Sequence, residues 1–336
     1  MHKLDKNIAS LWDYSAYFTA VIKAYKTNSK TYLNDLKITL KNLEWYLSKD
    51  RNDNYLVYAS EEGTEKPVFY DDNVWLAIGF LELYEIDGNV EFLNKAKELL
   101  RFIYDSWQTH LGGGLLWREF PDDLPRDKWV RNTCINGPSA YASARVYQLT
   151  KESYYLDWSK KIYEWTKNTL KDPLTHLYFD NISETLVIEK TKWTYNVGTM
   201  ISAGSLLYNL TKVKSYKEDA LKSIEAANQL LTIKHEDGSN HYYFDDSPWF
   251  KVYLFQGLLD GYKYLDEKVV EKIFDSVLVN FKYIYEKYQN KDALIINKWS
   301  KLPKNDFEHE ALFAAGNLES ICLFEEYLNL KKEASL

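Results

Sequence analysis

The sequence predicts an all-α fold, an (α/α)6 barrel or six-hairpin toroid, from three observations. An apolar run closed by tyrosine recurs at Tyr25, Tyr84, Tyr147, Tyr208, Tyr264 and Tyr327, at spacings of roughly 55 to 65 residues. After each of the first four runs a short polar turn leads to an aromatic residue, Tyr32, Phe92, Tyr155 or Tyr216, that opens a second helical stretch. The two stretches also differ in kind. The second carries Lys and Glu between apolar positions three or four apart, whereas the first is poor in charge and rich in small residues.

Taken in order, first helices are expected to start near residues 9, 71, 135, 194, 248 and 308. The second unit shows the amphipathic partner clearly, with Ala96, Leu99, Leu100, Ile103 and Tyr104 on one face. The third and fourth show the opposite character in Asn136-Gly137-Pro138-Ser139-Ala140 and Ser202-Ala203-Gly204-Ser205, side chains small enough for an inner ring where helices crowd. The chain stops after the sixth first helix, so five outer partners are expected. A solenoid would use the same repeats. Closure is favoured because the links returning to each inner helix are long and aromatic-rich, as loops that gather over one end would be. Residues 1–336 are accordingly read as one catalytic domain, a length a closed barrel reaches as a single unit.

Composition excludes several classes of function. A net charge of −7 without a Lys/Arg run is unsuited to a phosphate backbone, so no nucleic-acid partner is expected. The chain shows neither an apolar span for a membrane nor an export signal at its start, which reads as a cytoplasmic protein. Cys134 and Cys322 stand about 190 positions apart, without disulfide or metal spacing, and are expected to be buried and inert. His110, His176, His235, His241 and His309 lack paired ligand spacing, so neither a metal nor an organic cofactor is expected. The 28 Tyr, 11 Trp and 15 Phe exceed ordinary use; most fill a large core, and the surplus of Tyr and Trp suits stacking on sugar faces.

The candidate chemistry lies at the starts of the inner helices. Asp71 and Asp72 are adjacent in Phe69-Tyr70-Asp71-Asp72-Asn73-Val74-Trp75, where a polar loop becomes an apolar helix. Helix capping with a first-turn acid is one reading of such a pair, and acid/base work is the other. The remaining links carry His110-Leu111-Gly112-Gly113-Gly114 leading to Trp117, then Asn132 to Gly137, Trp193 to Gly198, and Asp245-Asp246-Ser247-Pro248 with Lys251. The glycine triplet permits positive φ and close backbone approach, and a tight turn placing Trp117 over a cleft fits it better than a phosphate cradle. Capping explains each Asn, Asp or Ser singly. It explains less well why four such links carry Tyr, Trp and Asn to one rim.

That ordered set resembles glycoside hydrolase family 76 over about residues 10 to 265: Tyr70 to Trp75, the glycine triplet with Trp117, Asn132 to Gly137, Tyr195-Asn196 with Gly198, and Asp246 with Pro248, Phe250 and Lys251. The resemblance implies an (α/α)6 barrel and endo-acting, retaining hydrolysis of α-1,6-linked mannan or manno-oligosaccharides. It also implies Asp71 as nucleophile and Asp72 as general acid/base. Tyr70, Asn73, Trp117, Asn132, Asn136, Tyr195, Asn196, Asp246 and Lys251 are the expected substrate-binding residues, with Asp245 solvated. The chemistry is compatible, since retention needs two carboxyl groups about 5–5.5 Å apart. A helix start favours an ionised first acid, and its charge raises the pKa of the second. The alternatives are another (α/α)6 glycosidase, such as an unsaturated glucuronyl hydrolase with Lys128, Arg131 or Lys251 reading an anionic sugar, or a catalytically silent glycan-binding protein.

Overall fold

A computed structural model describes residues 9–48, 55–59, 68–119, 125–290, 293–303 and 310–336; His309 and the expected sixth start near 308 lie outside the described residues. Eleven α-helices occur among them. They are α1 Leu11–Thr27, α2 Ser29–Leu43, α3 Tyr70–Asp87, α4 Val90–Asp105, α5 Thr133–Thr150, α6 Ser153–Leu170, α7 Thr194–Thr211, α8 Lys214–Leu230, α9 Pro248–Leu265, α10 Lys268–Lys287 and α11 Ala311–Ala334. Five short strands accompany them: β1 Val130–Asn132, β2 Asn181–Ser183, β3 Ile188–Glu189, β4 Thr232–Lys234 and β5 Tyr242–Phe244. The helices form five hairpins and a final single helix, as the repeats predict.

Each hairpin turns where its repeated tyrosine sits. The carbonyls of Tyr84, Tyr147 and Tyr208 accept from the N–H groups of Gly88, Lys151 and Lys212, which take left-handed φ values of 69°, 62° and 60°. That closure ends the helix and satisfies one of its last carbonyls. The amphipathic helices bury the stripe their sequence shows; in α4 it is Leu93, Ala96, Leu99, Leu100, Phe102, Ile103 and Tyr104. The first helices are buried nearly all round, from Thr133 to Val146 in α5 and from Asn196 to Leu207 in α7.

The described chain divides into two compact units, Met1–Leu170 with Phe179–Thr191, and Lys171–Tyr178 with Lys192–Leu336. In the first, α1, α3 and α5 pack side by side, each with its hairpin partner. An antiparallel sheet β1-β2-β3 adjoins the start of α5, pairing Arg131 with Ile182 and Asn132 with Asn181. In the second unit α9 packs between α7 and α11. Backbones touch there: a Cβ on Gly198 would lie 2.3 Å from the Tyr253 carbonyl oxygen, and one on Gly257 would lie 2.7 Å from the Gly198 oxygen. Small residues at those two points allow the two crowded helices to meet. The β4–β5 hairpin leads into Ser247, whose hydroxyl accepts from Phe250 N–H at 3.2 Å and caps α9.

Candidate active site

Neither aspartate caps α3. Phe69 holds the cap position without a side-chain bond, and Asp71 and Asp72 follow inside the first turn. Backbone bonds fix this turn. Tyr70 N–H donates to the Trp117 carbonyl at 3.0 Å, Trp117 N–H to Val130 O at 3.0 Å, and Glu119 N–H to Val68 O at 2.9 Å. The start of α3, the segment after the glycine triplet and β1 are thereby laced together.

The two acids have different surroundings. Asp71 Oδ2 accepts from the Trp117 indole Nε1–H at 2.9 Å and from the Cys134 thiol at 3.4 Å, while Oδ1 is buried with no hydrogen-bond partner among the described residues. Burial pushes its pKa up to about 6, against the pull of Trp117, Cys134 and the first-turn amides of residues 71 and 72. Asp72, 7% exposed, is raised well above the ordinary carboxylate range by burial first, then by the charges of Asp71 and Asp13. The helix dipole alone would favour ionisation of both; loss of water outweighs it.

Two expected sugar readers prove to be brackets. Asn73 is wholly buried; its amide oxygen accepts from Tyr58 N–H at 2.9 Å, and its nitrogen donates to the carbonyls of Tyr58 at 2.9 Å and Phe69 at 2.8 Å. Asn136 repeats this on α5, with Leu115 N–H at 2.9 Å, Leu115 O at 3.1 Å and Asn132 O at 2.9 Å. With both ends of each amide engaged, neither is placed to read a substrate hydroxyl. Tyr70 is 8% exposed and packs on Phe102 with ring centroids 4.8 Å apart, a core role in place of the expected contact. Asn132 is 7% exposed; its nitrogen reaches Asp180 Oδ2 at 3.5 Å. Trp117 is half-buried, edge-on to Phe69, and engages the dyad through its N–H as well as offering a ring.

The other expected residues belong to the second unit. Tyr195 is half-buried and lies against Phe250 with centroids 4.2 Å apart. Asn196 is wholly buried. Asp246 is partly exposed; its Oδ2 accepts from Thr194 N–H and Oγ1, each at 3.0 Å, and its Oδ1 from Ser247 N–H at 2.9 Å. Asp245 is exposed. Lys251, expected at the surface of the cleft, is fully buried instead, its Nζ 3.8 Å from the Trp299 ring centroid and without a hydrogen bond among the described residues. Burial lowers its pKa to about 7, opposed by Asp246 and Asp245.

Sequence reasoning missed Asp13 and the contact of Cys134. Asp13 sits in the first turn of α1, accepting from the Ser10 hydroxyl at 2.8 Å, near enough for its charge to raise Asp72. Its signal was an acid three residues after a capping serine, at the same depth of an inner helix as Asp71 and Asp72. Cys134 is buried, as expected, but not idle. No grouping of three or more His, Cys, Asp or Glu fit for a metal occurs among the described residues.

The repeated helical hairpins and the buried acid pair in the first turn of α3 define a class, that of the all-α glycoside hydrolase families. A family model described as Glycosyl hydrolase family 76 matches residues 2–318, and the chain belongs to that family. The mannan endo-1,6-alpha-mannosidase of Candida glabrata is 34% identical over 169 residues, 48% of this chain and 37% of that protein; a Candida albicans relative is covered to 49%, so the chain matches less than half the length of these relatives. Among solved structures, a Bacteroides thetaiotaomicron family 76 α-mannanase superposes with a TM-score of 0.83 over 96% of this chain and 89% of that one, at 20% identity. An α-1,6-mannanase of Salegentibacter sp. is 27% identical, with a TM-score of 0.75, covering 93% and 88%. That structure is of an inactive variant with two adjacent aspartates replaced by asparagine, in complex with α-1,6-mannotriose.

Proposed function

We propose that this chain hydrolyses α-1,6-linked mannan or manno-oligosaccharides with retention of configuration. The observation that carries the reading is the unequal treatment of the two acids. One oxygen of Asp71 is held by two donors while the other has none, and Asp72, buried beside Asp71, has its pKa raised well above the ordinary carboxylate range.

In the mechanism this supports, Asp71 Oδ1 attacks the anomeric carbon as Asp72 gives its proton to the departing glycosidic oxygen. The C–O bond to the leaving sugar breaks, and a glycosyl ester to Asp71 forms. Asp72, now a carboxylate, takes a proton from water, which attacks the same carbon and releases Asp71. Trp117 and Cys134 keep Oδ2 fixed and bear part of its charge as the ester opens. Two inversions at one carbon leave the configuration unchanged.

The anionic-sugar alternative fits less well. Arg131 is fully buried against Glu184, at 3.1 Å, and Lys251 is fully buried on Trp299. Azide rescue tests the proposal. Asp72→Asn should retain the first step on an aryl α-mannoside with a good leaving group and, with azide, yield an α-mannosyl azide. A β-configured product, or rescue of Asp71→Asn with retention, overturns the assignment. Reducing-end analysis of α-linked manno-oligosaccharides should show cleavage confined to α-1,6 linkages.

A further inference from the structure

A cavity of about 470 Å³ opens beside the C-terminal halves of α4 and α6, lined by Trp107, Thr109, Gly112, Lys161, Trp165 and Asn168. Two of the lining indoles are packed hard against backbone: a Cβ on Gly113 would fall 2.3 Å from the Trp107 ring, and one on Gly114 2.5 Å from the Trp165 ring. The Trp165 indole N–H is held by the Leu111 carbonyl at 3.2 Å, and the Lys161 ammonium sits 4.2 Å from the ring centroids of both Trp107 and Trp158. Four polar groups make no hydrogen bond or ion pair among the described residues: the Trp107 indole N–H, the Thr109 hydroxyl, the Asn168 amide and the Lys161 ammonium, which is held by the two rings alone.

This combination selects a ligand class. No carboxylate lines the cavity to hold a cation, and one lysine without a backbone-amide nest is poorly suited to a polyanion. Indole faces beside an amide, a hydroxyl and further N–H donors match a neutral polyol with apolar C–H faces. Position matters as well. Gly112 precedes Trp117 by five residues, so the cavity rim is within about 18 Å of the residue that holds Asp71.

We propose that this cavity is a second carbohydrate-holding site, which grips the same neutral α-linked mannan at a point away from the bond being cut. It rests on the mannanase reading above. A polymer held here is presented to the dyad at a raised local concentration, whereas a short glycoside gains nothing.

The test uses the full chain. Native electrophoresis of Asp71→Asn protein through gels containing α-1,6-mannan should show retardation, weakened about five- to tenfold in apparent affinity for each partner removed by Asn168→Ala or Lys161→Ala, and further by Trp107→Ala. With Asp71 intact, Asn168→Ala and Lys161→Ala should raise the half-saturating mannan concentration and leave hydrolysis of an aryl α-mannoside unchanged. If the unsubstituted chain cuts mannan but both exposed-residue variants match it in retardation and in polymer kinetics, this inference alone is wrong. If the unsubstituted chain neither cuts nor is retarded by mannan, the mannanase reading falls and takes the second site with it.

Discussion

Because Asp71 receives donors from Trp117 and Cys134 while Asp72 is buried beside the charges of Asp71 and Asp13, the pair should titrate as one unit with separated apparent values. Activity should fall as pH drops through about 6, where Asp71 takes up a proton, and fall again at the higher pH where Asp72 loses one; initial rates against pH would check the bell. The same shifts bear on stability. Both folded pKa values are raised, so this contribution is most favourable below the unfolded value and is lost as pH rises through the folded ones. Asp72→Asn should therefore raise Tm at pH 7 and give little gain near pH 4. A loss of Tm at pH 7 would mean that Asp72 is a structural partner, not a strained acid. Cys134→Ala removes one donor from Oδ2, which should lower kcat about five- to tenfold with KM nearly unchanged, while Cys134→Ser recovers most of the rate. A change in KM alone would rule out that role.

At the scale of elements, α3 and α5 are anchored by one device used twice. Asn73 and Asn136 each occupy the fourth residue of their helix, donate back to the carbonyl before it, and clasp a neighbouring segment through both N–H and C=O. Asn136→Ala should cost about 2–4 kcal/mol in chemical denaturation, since it strands the Leu115 backbone groups in a buried setting. An effect under about 0.5 kcal/mol would show the clasp to be dispensable. Here lies the limit of what a sequence reveals. The helices were legible because period, small residues and the recurring tyrosines all speak through the chain's own spacing. Whether an asparagine at a helix start reads a sugar or ties down a strand depends on a segment 15 or 21 residues away, which spacing does not record. The same holds for Lys251: a cation in a polar link reads as exposed, and only the arrangement of Trp299 shows it to be enclosed. The adjacent aspartates were legible because two like charges side by side at an apolar boundary are hard to account for locally.

For the whole molecule, we propose that the chain is one catalytic domain. Family 76 features cover residues 2–318, and neither compact unit is a continuous stretch: residues 171–178 group with the later part and residues 179–191 with the earlier. A single calorimetric transition whose van't Hoff and calorimetric enthalpies agree is the expected outcome, and two resolved transitions would refute it. The interleaving also bears on biosynthesis. When the first 170 residues have left the ribosome, β1 lacks its partner strand β2, and the Thr133 N–H at the head of α5 still lacks the Asp180 carbonyl that it bonds at 2.8 Å. The turn bearing the aspartates is laced to that same β1, so a nascent chain holds its first six helices, three hairpins, before it can fix its acids in place. Translation must run about twenty residues past α6 for the dyad to acquire its final surroundings.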